Sequence, residues 1–337
     1  MSKEEFIWLI RGLSFPIVLQ LSNKNVENPV IKVKKHYLSL RPLIFWQKIE
    51  RPVNWTKIFG CDRPLEVEIG FGNGEFLVRR ALNYPERNFV GIELMWGSIR
   101  RALRRVKKAG VENVRLVQGD TRILFYCLFL PKSLCRVYSL FPMPWPKEKH
   151  IKHRVFSQAF LKLVNSRLVE NGEVLIVTDY EPFMNWVLEQ TEGTGFTLDL
   201  KSTTPQFNTK YERKWREKGQ IEFLELRLFK QEHIEIPLRE EIKLKTYRVE
   251  YFDPKAFNPI NERGDIVVEF KEFVYDPDQL KGMVRVIVVE DDLTQNFWIK
   301  IESTQRGWHI HIARGCVIFP TVGVQRALDL VYEAINN

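Results

Sequence analysis

The sequence predicts an α/β fold, a doubly wound and mainly parallel sheet followed by a smaller α+β unit. Three observations predict it. From Leu65 onward, five apolar runs suited to burial on both faces alternate with helical stretches. A glycine-rich turn, GFGNG, joins the first run to the first helix. Beyond about residue 231 the rhythm changes to successive antiparallel strand patterns and one closing helix.

Residues 1–60 form a basic, proline-punctuated segment, basic at IKVKKHY, with Trp46 and Trp55 expected to pack on the α/β domain. The strand runs are LEVEI, NFVGI, NVRLV, RVYSLF and EVLIVT. Residues 98–109, SIRRALRRVKKA, set Ile99, Leu103 and Val106 on one helical seam and fill the rest with bases. Residues 155–170 place Phe156, Phe160, Leu163 and Val164 similarly, with Asn171-Gly172 as the expected stop. FTLDL and IEFLELRLF read as a hairpin with no clear helix between them. The expected organisation is therefore a segment 1–60, an α/β domain 61–230 and a C-terminal extension 231–337. In the extension, GDIVVEFKEFVY, MVRVIVVE, FWIKIEST and GWHIHIA read as strands and TVGVQRALDLVYEAIN as the closing helix.

Charge is divided unevenly. Residues 231–337 carry 13 Lys/Arg against 18 Asp/Glu, whereas residues 1–230 carry 38 against 24. A strongly basic first part joined to a mildly acidic second part points to a polyanion handled by the first. No apolar run approaches the roughly 20 residues that span a bilayer. MSKEEFIWLIRGL, with acids ahead of a short apolar stretch, is a poor secretory signal, so a cytoplasmic protein is expected. Cys61, Cys127, Cys135 and Cys316 lack zinc-like spacing and are expected as reduced thiols. His309 and His311 share a strand face, but no nearby cysteine or carboxylate pair completes a site, so no metal is expected.

The chemistry-bearing motif is LEVEIGFGNGEF. It sets Glu68 at the end of the first strand and Gly70, Gly72 and Gly74 in the turn before a helix. Glu93 ends the second strand, where a carboxylate can accept both hydroxyls of a ribose, and Asp120 ends the third, within reach of an adenine edge. The dinucleotide fingerprint is not met, because Glu75 takes the place of its third glycine. Glu68 and Glu75 would also repel a pyrophosphate. S-adenosylmethionine carries a sulfonium and an ammonium and no phosphate, so it suits this acidic loop. FPMPWP follows the fourth strand and meets the glycine turn at the sheet's switch point. Its basic tail, Lys147, Lys149, His150, Lys152, His153 and Arg154, can hold phosphates.

EIGFGNGEF, GIE, FPxPWPKxxHxxxR, TDY and NTKYE together, in order and spacing, resemble the bacterial tRNA (guanine-N7-)-methyltransferases, the TrmB family, over residues 50–230. The resemblance implies a Rossmann-like class I methyltransferase that transfers a methyl group from S-adenosyl-L-methionine to N7 of guanine 46 in the tRNA variable loop. It implies Glu68, Glu93 and Asp120 as cofactor residues. It implies Lys147, His150, Arg154, Asp179, Thr209, Lys210, Tyr211 and Glu212 as substrate residues. The extension resembles one seen in family members from heat-loving bacteria, and a monomer or homodimer fits equally.

Met143 departs from the family pattern, which has aspartate there. Guanine N7 bears a free lone pair and no proton, so attack needs positioning rather than a general base. A carboxylate still helps, because positive charge appears on the guanine ring. Asp179 and Glu212 are the expected replacement carboxylates, with Met143 packing on cofactor or base. The alternative is a protein that binds tRNA and cofactor but methylates weakly or not at all.

Overall fold

The computed structural model describes residues 38–219, 222–239, 241–291 and 293–336. The basic IKVKKHY stretch lies outside the described residues. The first sheet contains β1 (Leu43–Ile44), β2 (Leu65–Ile69), β3 (Asn88–Glu93), β4 (Val114–Gln118), β5 (Leu134–Leu140), β6 (Leu168–Thr178), β7 (Phe196–Thr203) and β8 (Phe223–Lys230). Their order is β1-β4-β3-β2-β5-β6-β8-β7. All neighbours from β1 to β6 run parallel, and β8 runs antiparallel to both β6 and β7. The chain winds outward from β2 to β4, then returns to β5 on the other side of β2. The two loops that leave β2 and β5 therefore emerge side by side at the carboxyl edge.

Seven helices accompany this sheet among the described residues: α1 (Trp55–Phe59), α2 (Glu75–Asn83), α3 (Trp96–Ala109), α4 (Thr121–Leu128), α5 (Gln158–Arg167), α6 (Glu181–Glu189) and α7 (Lys210–Glu217). They explain the strand composition. With helices on both faces, Val67, Val90, Ile92, Val117, Val137 and Ile176 are wholly buried. Each such side chain contributes about 1.5–3 kcal/mol of burial free energy. Trp46 and Trp55 are buried in the same core, as expected, and their indole N–H groups donate to the Gln118 and Leu128 carbonyls. Glu66, near the start of β2, is also fully buried. Its carboxylate accepts from Arg80 at 3.1 Å, Arg87 at 2.5 Å and the Tyr138 hydroxyl at 2.8 Å, which ties α2 and its following loop to the sheet.

Two local expectations need correcting. The helix expected over 155–170 covers only Gln158–Arg167, and Asn171-Gly172 lies inside β6, where the pairing with β5 is irregular, rather than at a helix stop. The carbonyls of Ser166 and Arg167 accept from Lys132 and Ser133, so tertiary hydrogen bonds end the helix early. A helix, α7, also stands between the two hairpin strands. Glu212 is its only buried residue, so it shows no apolar stripe. It is defined by a reciprocal capping box between Thr209 and Glu212.

The second sheet contains β9 (Tyr247–Val249), β10 (Ile266–Asp276), β11 (Lys281–Glu290), β12 (Leu293–Thr304) and β13 (Gly307–Ile312), in the order β10-β11-β12-β13-β9, all antiparallel. α8 (Val322–Asn336) covers one face, placing Val324, Ala327, Leu328 and Val331 against Val284, Val286, Phe297, Ile299 and Ile310. The four strand runs and the closing helix of the extension thus form as read. Leu293 and Phe319 join the core of the first sheet rather than that of the second. Arg167, fully buried, donates to the carbonyls of Phe125 and Ile236. Ion pairs Arg51–Glu241 and Arg239–Asp291 add to the seam.

Candidate active site at the carboxyl edge of the parallel sheet

The glycine turn after β2 needs backbone that side chains resist. Gly70, Gly72 and Gly74 have φ of 70°, 57° and 73°. At Gly74 a β-carbon would also lie 2.9 Å from the Ala102 β-carbon of α3. Gly70 and Phe71 donate to the Ile92 carbonyl, and Gly72 donates to Glu93 Oε2 at 3.0 Å. Glu93 Oε1 accepts from Leu94 and Met95. The second-strand carboxylate therefore braces both turns, and Oε2, which accepts only one N–H, keeps accepting capacity for a hydroxyl.

Glu68 is the informative acid. It is buried, its Oε2 has no hydrogen-bond partner, and burial pushes its pKa from the ordinary 4.5 to about 8. A buried carboxylate oxygen with nothing to accept from is costly unless a cationic or donating ligand completes it. Asp120 caps α4 and grips Arg122 through both oxygens, at 2.7 and 3.1 Å. It stands at its expected strand end, but its carboxylate is already engaged by that arginine. Glu75 pairs with Arg105 and Arg213 instead of facing the cleft as an isolated charge. Leu94 and Met95, exposed beside Glu93, were not anticipated. They follow the ribose-type carboxylate in the chain, and an apolar pair directly after a strand-end acid is the sequence signal that points to them.

The proline loop leaves β5 beside this turn. Phe141 donates its N–H to Val177 at 2.7 Å, and its ring packs edge-on against Phe223 at 5.1 Å. Phe141 and Trp145 both have left-handed backbone, with φ of 54° and 44°. Met143, between them, is exposed, at 63%. Trp145 packs against His150 and His153, with ring centroids 5.7 and 5.1 Å away. Lys147 and Lys149 are exposed to solvent, and residues Glu148–His153 form a short 3-10 turn.

Arg154 is placed differently from the other bases of this tail. It is buried over the Phe183 and Trp186 rings, and donates to the carbonyls of Pro144 at 2.9 Å and Trp145 at 3.4 Å. Its guanidinium fastens the loop from inside rather than facing a phosphate. Glu212 is likewise turned inward, only 2% exposed, and accepts from the backbone N–H groups of Gln206, Phe207 and Thr209. Thr209 Oγ1 returns the contact by accepting from the Glu212 N–H, while Lys210 and Tyr211 are exposed on the same turn. Asp179 follows β6, one strand beyond the proline loop, and burial raises its pKa. Of the two expected replacement carboxylates, Asp179 is the one whose side chain is not committed to a helix cap.

A methyltransferase family model matches residues 62–224. A tRNA (guanine-N(7)-)-methyltransferase of Chlorobium phaeobacteroides is 48% identical over 171 residues, 51% of this chain and 84% of that protein. Its counterpart in Aquifex aeolicus is 31% identical over 302 residues, 86% of this chain and 98% of the relative. One from Deinococcus radiodurans is 31% identical over 289 residues, covering 81% and 89%. The last two likenesses run well beyond the first sheet, into the second. By these likenesses, and with the glycine turn, proline loop and capped NTKYE helix gathered at one sheet edge, the chain belongs to the tRNA (guanine-N(7)-)-methyltransferase family.

Proposed function

We propose that the protein methylates N7 of a guanine in tRNA, at position 46 of the variable loop, with S-adenosylmethionine as donor. The observation that carries the cofactor assignment is the orphaned, buried Glu68 oxygen beside a turn of left-handed glycines. A donor bearing an ammonium group offers that oxygen N–H donors and draws the carboxyl into its ionised form, whereas the oxygens of a pyrophosphate only accept. When bound, S-adenosylmethionine supplies an electrophilic methyl group. Glu68 holds its cationic end, Glu93 accepts from the ribose through Oε2, Leu94 and Met95 flank the adenine, and Asp120 closes the far side.

The remaining residues act on the guanine. Phe141, Pro142, Pro144 and Trp145 form a rigid shelf at the switch point, held by Arg154. Asp179 stands at the neighbouring strand end and supplies the negative charge that favours positive charge developing on the ring. No proton need leave N7, so in-line placement is the principal requirement. Lys147, His150 and the exposed Lys210 and Tyr211 contact the tRNA around the target, and Glu212 and Thr209 hold the turn that presents them. Residues 61–230 form the catalytic domain in this reading, the described part of residues 1–60 packs onto it through β1, Trp46 and Trp55, and residues 231–337 form a buttress. No helix among the described residues is long and apolar enough to cross a membrane, and a cytoplasmic site of action suits a tRNA substrate.

The test is methylation of unmodified tRNA with labelled S-adenosylmethionine, followed by nucleoside analysis. Label in 7-methylguanosine, lost when guanine 46 is replaced, is the expected result. Label in another nucleoside, or none with bound tRNA and cofactor, overturns the reading.

A further inference from the structure

The histidine pair of the extension does not stand alone, as the linear sequence suggested. In the β12–β13 ladder, Glu302 lies directly opposite His309, and Lys300 opposite His311. Alternation buries Ile301 and Ile310 under α8 and turns Glu302, His309 and His311 to the other face. One ligand atom from each of these three residues lies within 4.8 Å of the others, and all three residues are partly buried. The histidine rings are 4.6 Å apart between centroids.

Hydrogen bonding defines what this cluster lacks. His311 Nδ1 is 2.8 Å from the Ile312 carbonyl oxygen, which can only accept, so Nδ1 carries the proton. His311 Nε2 then faces Glu302 Oε1 at 3.0 Å, and an ionised carboxylate also only accepts. Unless Nε2 is protonated as well, two lone pairs meet there, and a shared cation is needed between them. A backbone carbonyl that fixes the tautomer of a histidine is the usual outer support of a metal ligand. His309 contacts Thr246 Oγ1 through Nε2 at 3.2 Å, which leaves its Nδ1 uncommitted to that contact.

The charged neighbours narrow the choice of ion. Lys300 bonds the other Glu302 oxygen at 2.5 Å and leaves Oε1 for the cluster. Arg248, opposite His309 on β9, turns its guanidinium to Thr304 Oγ1. Two imidazoles and one carboxylate beside such bases disfavour magnesium or calcium, which want many oxygens, and favour ions with high imidazole affinity.

We propose that Glu302, His309 and His311 form a binding site for a divalent transition metal of the zinc class on the open face of the C-terminal sheet. The ion would join β12 to β13 and leave one or more positions for water.

The test titrates Zn2+ into the full-length, chelator-stripped protein by calorimetry, with Co2+ absorption as the spectroscopic probe. The expected result is one equivalent per chain, with Co2+ bands of a low-coordinate site. Binding weakens about tenfold or more in His309→Ala and in Glu302→Gln. His311→Gln serves as a second variant if His309→Ala fails to fold. His153→Ala controls for the His150–His153 pair on the proline loop. Methyl transfer by His309→Ala in metal-free buffer stays at the wild-type rate. Absence of a stoichiometric equivalent, binding unchanged in the sheet variants, or binding lost only in His153→Ala overturns the proposal.

Discussion

Replacing Glu212 by alanine separates a structural carboxylate from one that acts on substrate. Glu212 accepts three backbone N–H groups, from Gln206 at 2.7 Å, Phe207 at 3.0 Å and Thr209 at 3.3 Å, and is almost fully buried. The side chain also forms half of a capping box, whose loss alone costs about 1 kcal/mol. Each buried donor left without an acceptor costs about 1–3 kcal/mol, although water entering the opened turn recovers part of it. A net loss of about 3 kcal/mol is therefore expected, which for a chain of this size lowers Tm by about 5 °C. Asp179→Ala removes a carboxylate with no such duty and should leave Tm within about 1 °C, because substitutions away from these features cost little. Both variants are expected to lose most methyl transfer, Glu212→Ala with a raised KM for tRNA as the NTKYE turn loosens. Differential scanning calorimetry alongside labelled-methyl assays reads both effects. Unchanged Tm in Glu212→Ala together with collapsed kcat would refute the argument and return Glu212 to the reacting centre.

Four further outcomes are expected. Burial raises the Glu68 pKa from 4.5 to about 8, so between those values only the folded state holds the proton. Its contribution to stability therefore falls as pH rises through that interval and levels off above it. An ammonium group arriving beside it favours ionisation. Cofactor binding at pH 7 should release close to one proton in wild type and none in Glu68→Gln, and calorimetry in buffers of different ionisation enthalpy shows whether it does. Met143→Asp restores a carboxylate where positive charge develops on the base and should raise kcat roughly tenfold; an unchanged or lower rate would mean Asp179 already meets that need. Gly91→Ala puts a β-carbon 2.5 Å from Leu77 and 2.6 Å from Phe71, so a loss of about 1–3 kcal/mol is expected in chemical denaturation. Affinity for tRNA should fall steeply and linearly in a logarithmic plot against salt; a flat response in filter binding would count against phosphate contacts by the basic tail.

The fold was legible where periodicity reports burial. Five of the six parallel strands, β2 to β6, and the seam of α3 show in the sequence because helices cover both faces of the sheet, whereas β1, only two residues long, is too short to show a pattern. α7 did not, since a helix held by a capping box and by the Arg213–Glu75 pair leaves no apolar period to detect. The early end of α5 was hidden for a related reason: the N–H groups of Lys132 and Ser133, more than thirty positions away, terminate it. At the site, strand-end acids and glycines were visible as spacing. Spacing did not reveal which acids were already engaged. Glu212 and Arg154 carry the right chemistry in the right motifs, yet both face inward, and only three-dimensional hydrogen bonding shows it. The Glu302–His309 juxtaposition depends on strand register, which pairs positions that sequence distance separates.

The proline loop is fastened on every side of an unfastened centre. Phe141 is anchored by Val177 and Phe223, and Pro144 and Trp145 by Arg154, while Met143 itself is free. The contour of the shelf thus does not depend on the one side chain displayed at its middle. Such a position can exchange an acid for a thioether, or back again, without disturbing its surroundings. It behaves as a socket in which the chemistry presented to a base can be altered over generations while the grip on the RNA is retained.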